Sequence, residues 1–154
     1  MAANTAPIYP LLPYIVNASL AAVTACTTRA PTATASLAAA NISLLVPAGA
    51  SQTPASTAGT RIDKIQVKGC SSSFTAATAA QTVTIWEWDG TTAWPIDEIL
   101  VTLVTPSTTV ASFYGANSYS NLVLPVLHAL YISTSITTTA STTALCVTAF
   151  GGTY

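Results

Sequence analysis

The chain reads as all-β, a two-sheet β-sandwich of jelly-roll type behind an extended N-terminal arm, and three observations predict this. From residue 59 to 150, short blocks rich in Val, Ile, Thr and aromatic residues follow one another. Clusters of Gly, Pro, Ser and Asn separate them, with no alternation of strand and helix patterns of the βαβ kind. Three prolines, Pro7, Pro10 and Pro13, deny the first residues a regular hydrogen-bonded element. An up-and-down or partly open barrel stays open, because periodicity alone does not order strands.

Residues 1–28 are expected to form the arm and residues 29–154 a single domain. In the arm the prolines alternate with Ile8, Tyr9, Leu11, Leu12, Tyr14 and Ile15, an apolar strip that water will not hold free. It packs either along its own sandwich, covering an edge strand, or onto a neighbouring subunit. Residues 32–37 and 42–46 are weaker strand candidates. Residues 48–59 are a Pro-, Gly-, Ser- and Thr-rich loop, and residues 20–25 or 37–41 have room for a helical turn or two at most.

The clearest strand covers residues 60–69. There Ile65 and Val67 alternate with Lys64, Gln66 and Lys68, the period of a half-buried strand. Residues 81–88 follow, and Asp89-Gly90 marks a turn into a partner at about 94–105. Further strands are expected at 109–114, 121–124, 129–135 and 144–150, with turns at 105–107 and 115–118, which makes about nine in all.

Composition bounds function. Only 6% of the 154 residues are charged, against roughly a quarter in ordinary soluble domains, while 51% are hydrophobic and the net charge is -1. Such a surface lacks the self-repulsion that keeps monomers apart, so association is expected. Four basic residues cannot make a nucleic-acid footprint. The apolar stretch 8–23 is broken by Pro10 and Pro13 and carries Asn17 and Ser19, so no membrane span is expected, and no basic segment precedes an apolar run as in a secretory leader.

Chemistry-bearing residues are few. Cys26, Cys70 and Cys146 are widely spaced without a CxxC pair, so free thiols in a reduced compartment are expected, Cys146 as a packing residue, with a Cys26–Cys70 bridge left open. His128 is the one histidine and no G-x-S-x-G elbow occurs, so neither a metal site nor a hydrolase triad is expected. Glu87, Asp89, Asp97 and Glu98 flank one hairpin, where turn formation and ion pairing explain them better than paired acid/base catalysis. No enzymatic activity and no cofactor are expected. Trp86 and Trp88 share one strand face and suit packing or a subunit interface better than sugar stacking.

Several stretches together resemble a family of small tailed-bacteriophage structural proteins. They are the opening Met1-Ala-Ala-Asn-Thr-Ala-Pro-Ile8, the strand Gly59-Thr-Arg-Ile-Asp-Lys-Ile-Gln-Val-Lys68, Trp88-Asp-Gly-Thr91, Val104-Thr-Pro-Ser107, Asn121-Leu-Val-Leu-Pro125 and the closing Ala149-Phe-Gly-Gly-Thr-Tyr154. The likeness covers the first eight residues and most of 59–154, while residues 29–58 depart from it. It implies a virion protein of capsid decoration (cement) type, assembled in the host cytoplasm and placed on the capsid surface. Its partners would be the major capsid protein and itself, as a homotrimer, with neither nucleic acid nor membrane. The candidate interface residues come from the apolar arm and the Trp face and not from the likeness: Pro7, Ile8, Tyr9, Leu11, Leu12, Tyr14, Ile15, Trp86 and Trp88. The rivals are a tail or head-fibre component with host-glycan binding, and a secreted carbohydrate-binding module.

Overall fold

The structure, a computed structural model, describes residues 12–33, 41–51, 58–73 and 75–154. Nine strands occur among them: β1 (Leu12–Leu20), β2 (Thr32–Ala33), β3 (Ile42–Val46), β4 (Thr60–Gly69), β5 (Gln81–Trp88), β6 (Thr92–Val101), β7 (Tyr114–Leu124), β8 (Ala129–Thr134) and β9 (Leu145–Thr153). The one helical element there is a 3-10 turn at Gly49–Ser51, so no described helix is long and apolar enough to cross a membrane.

The pairings give a jelly roll. β1 pairs with β9, β3 with β8, β4 with β7 and β5 with β6, all antiparallel, as if one long hairpin were folded on itself. Cross-pairing of β4 with β9 and of β5 with β8 closes a four-stranded sheet, β1-β9-β4-β7, and a five-stranded sheet, β2-β6-β5-β8-β3. Two-residue β2 is the addition to the eight-strand plan. The core lies between the sheets. Ile65, Val67, Val147 and Ala149 from one sheet face Val83, Ile85, Ile99 and Ile132 from the other, each at most 4% exposed.

Bulges keep the alternation in step with this core. Asp63 is an extra residue against β9, so Ile62 and Ile65 both turn inward although three positions separate them. Gly151 lies opposite this bulge, and a Cβ there would stand 1.8 Å from the Arg61 carbonyl oxygen, so only glycine lets the two strands approach.

Several expectations change. Of the segment read as an arm, Leu12–Leu20 is β1 of the sandwich, paired with β9 of its own chain: Tyr14, Val16, Ala18 and Leu20 point inward, and burying them outweighs the ladder bond that Pro13 removes at a sheet edge. Residues 1–11 lie outside the described residues. The turn expected at 115–118 is instead the interior of β7, which takes in the strand expected at 121–124 and only Tyr114 of the one expected at 109–114. Its turn-forming residues answer to packing: the Phe113 ring stands where a Gly115 Cβ would be, 2.8 Å away, and the Asn117 amide reaches Asp97. Residues 107–110 form the turn, held by the Ser107 hydroxyl, which accepts from the N–H groups of Thr109 and Val110. The thiols are not all free. Cys70 and Cys146 are bonded where β4 ends and β9 begins, and Cys26 is the free, buried one. The 76 positions that separate the pair in sequence hid the neighbourhood of their strands.

Candidate interaction surfaces

The outer face of the four-stranded sheet is built by alternation. The residues that skip the core are Ile15, Asn17 and Ser19 on β1, Cys146, Thr148 and Phe150 on β9, Lys64, Gln66 and Lys68 on β4, and Tyr114, Ala116 and Ser118 on β7. Cross-strand pairs organise them. Ile15 is opposite Phe150, which is opposite Lys64, and the Thr148 hydroxyl donates to Asn17 Oδ1 at 2.6 Å. Lys64 is clasped from two sides: its Nζ donates to Tyr114 Oη at 2.9 Å and stands 5.6 Å and 5.7 Å from the Tyr114 and Phe150 ring centres. Neither Lys64 nor Lys68 meets a carboxylate among the described residues. The face is therefore net positive, with Arg61 paired to Asp63 and the two lysines unpaired by any described carboxylate, and Ile15 and Tyr114 are more than half exposed at its two sides.

At one end of the sandwich, β1 starts beside the end of β9, β4 starts beside the end of β7, and β8 starts beside the end of β5. Leu12, Trp94, Val123 and Leu127 are exposed there, Leu127 at 72%. The polar groups of this end are internally engaged: Glu87 Oε1 meets His128 Nδ1 at 2.7 Å. Asp89 accepts from the Thr91 and Thr92 N–H groups, the Thr91 hydroxyl and the Trp94 indole. Those donors, the Thr92 N–H first, hold the Asp89 carboxyl well below the usual carboxylate range.

The other carboxylates of the hairpin are also taken up. Glu98 pairs with Arg29 at 3.0 Å, while Asp97 accepts from Asn117 and Tyr119 of the opposite sheet. Burial, followed by the bond to Asp97, raises the Tyr119 phenol far above its ordinary value. No group of three or more His, Cys, Asp or Glu able to hold a metal occurs among the described residues.

The sequence-predicted interface residues separate. Pro7, Ile8, Tyr9 and Leu11 lie outside the described residues. Leu12 and Ile15 are exposed, whereas Tyr14 is 3% exposed and belongs to the core. Trp86 is corrected from surface to interior. Alternation does turn it away from Ile85, yet Cys26, Ala93, Ile42 and Tyr131 pack around it as a second small core, and its indole N–H donates to Ser133 Oγ at 2.8 Å. Trp88 is half-buried, edge-on to Tyr131 with ring centres 6.4 Å apart. The Lys64, Tyr114 and Phe150 clasp escaped sequence reasoning. Its signal was the outward set of the alternating 60–69 strand, which has no partner until the strands are ordered.

A groove of about 730 Å³ opens at the opposite end, between residues 68–78 and 106–112, with the Cys70–Cys146 bond in its wall. Its lining hydroxyls are partly spent on structure. Thr78 Oγ1 bridges to the backbone of Val104 and Thr102, and Ser71 Oγ donates to the Thr142 carbonyl.

Comparison of the chain with family models, with curated proteins and with solved structures finds no match.

Proposed function

We propose that this chain is a structural virion protein, a decoration (cement) protein that binds the outside of a tailed-phage shell and stabilises the joints between capsomers. The observation that carries the reading is the outer face of the four-stranded sheet, which no described element covers and where Ile15, Phe150 and Tyr114 lie around Lys64, bordered by β1, the strand that follows the apolar residues 7–11. A face offering Ile15, Phe150 and Tyr114, with the Lys64 ammonium held between two rings, suits burial against a protein surface of complementary charge, and the apolar residues 7–11 would supply contacts across a joint. Contacts made only in the assembled shell stabilise it by mass action, and many copies compound a small individual gain. Local three-fold positions between capsomers match a homotrimer with cyclic symmetry. The fibre reading with glycan stacking loses ground, since Trp86 offers no open ring face.

The test is occupancy on phage capsids, read by gel densitometry and cryo-electron microscopy. The full chain is expected over capsomer joints at shell-wide copy number. Deleting residues 2–11, which spares β1, or the change Ile15→Asp should remove it while the β body stays folded. Density only at the tail or fibres, or none, overturns the reading.

A further inference from the structure

The sandwich has four sheet edges, and they are defended unequally. β2 and β3 are short, with two and five residues, and β1 carries Pro13. β7 is 11 residues long and contains neither a charged residue nor a proline, and no described strand pairs with its far side. Its pairing with β4 breaks only beyond Ser118, where Tyr119, Ser120 and Asn121 face the single Asp63. The stretch from Tyr114 to Ser118 is therefore a regular ladder edge that no described strand covers.

We infer that Tyr114 to Ser118 of β7 pair antiparallel with the same residues of a second copy, about a two-fold axis at Ala116. Such an edge is self-complementary by geometry, because each strand offers the same donors and acceptors in reverse order. Register about Ala116 places Ala116 against itself, Gly115 against Asn117 and Tyr114 against Ser118, uncharged residues that are small apart from Tyr114 and bring no like charges together. The two four-stranded sheets then join as β1-β9-β4-β7-β7-β4-β9-β1, and their outer faces become one surface. The second copy is favoured over a foreign strand because a chain with 6% charged residues lacks the repulsion that otherwise blocks self-pairing. This contact is independent of the virion reading; on a shell it would join copies that belong to different three-fold positions.

A five-residue ladder buries much less than the about 800 Å² per partner of a standard interface, so the pairing is weak and is best trapped covalently. Directly opposed residues of an antiparallel pair lie within disulfide reach. With Cys26 changed to serine, Ala116→Cys is expected to form a disulfide-linked dimer at least about tenfold faster than Ser118→Cys, whose opposite residue is Tyr114, since pairing raises only the first thiol's effective concentration. The bond from the Gly69 N–H to the Phe113 carbonyl sets the odd-numbered residues of β7 toward β4, so the N–H of Ser118 points to the free edge. Adding Ser118→Pro, which removes that outward donor, should abolish the Ala116→Cys advantage while circular dichroism stays that of the parent. Equal trapping of the two cysteine variants, no trapping of either, or trapping unaffected by the proline would overturn the inference.

Discussion

Tyr119 on β7 and Asp97 on β6 join the two sheets at one margin of the sandwich: the phenol donates to Asp97 Oδ2, which also accepts from Asn117 Nδ2 at 2.7 Å. This carboxylate on the inner side has three neutral donors, the Glu98 N–H on Oδ1 being the third, and no cation among the described residues, so its charge is held by hydrogen bonds, two of them across the layers. Tyr119→Phe should cost about 1–3 kcal/mol, because one donor to a charged, half-buried acceptor is lost. Chemical denaturation measures this, and an unchanged midpoint would mean that the bond adds nothing to folding.

Tyr14 presents the opposite case. Its hydroxyl is buried in the core without a partner among the described residues, and burial pushes its pKa up to about 12. Tyr14→Phe is expected to be neutral or to stabilise by about 1 kcal/mol, since it removes a desolvated hydroxyl. The folded-state pKa lies above the ordinary 10.0, so the associated stability is complete below pH 10 and drains as pH rises toward about 12. Denaturation profiles across that range should fall less steeply in the phenylalanine variant.

Asp89 supplies the acid counterpart. Its depressed pKa contributes stability above the ordinary value of 3.8, and that contribution is lost as pH falls below it. Asp89→Asn should melt lower than the parent at neutral pH, and the gap should close in acid. Melting temperatures that differ by the same amount at both extremes would show that the charge plays no part.

Trp86 and Gly151 are predicted to be intolerant. Trp86→Ala should cost about 3–5 kcal/mol as a buried aromatic is lost. Gly151→Ala should disrupt the β4–β9 ladder, because a Cβ would meet the Arg61 carbonyl oxygen. Soluble expression and thermal melts distinguish both from the exposed control Leu127→Ala, which should be near neutral.

Reduction of Cys70–Cys146, or the double change to serine, should lower stability by about 2–4 kcal/mol without altering the fold. The strands it joins are already paired, and the bond acts mostly by restricting the unfolded chain. Denaturant melts with and without a phosphine reductant read the difference directly.

Alternation in residues 60–69 and 81–88, the Asp89-Gly90 turn and the scarcity of charge were legible in the sequence because they depend on neighbours along the chain, and they sufficed for an all-β sandwich. What needed the third dimension was each choice between equivalent local readings. Leu12–Leu20 became a strand because β9 stood ready to pair with it. Gly115, Ala116 and Asn117 left their turn propensity because Phe113 and Asp97 claimed them. Cys70 found Cys146 rather than Cys26, and Trp86 went inside under Cys26 and Ala93. Periodicity assigns a residue to one of two faces. Only the order of the strands, set by which long-range pairings bury the most apolar surface, decides what that face meets.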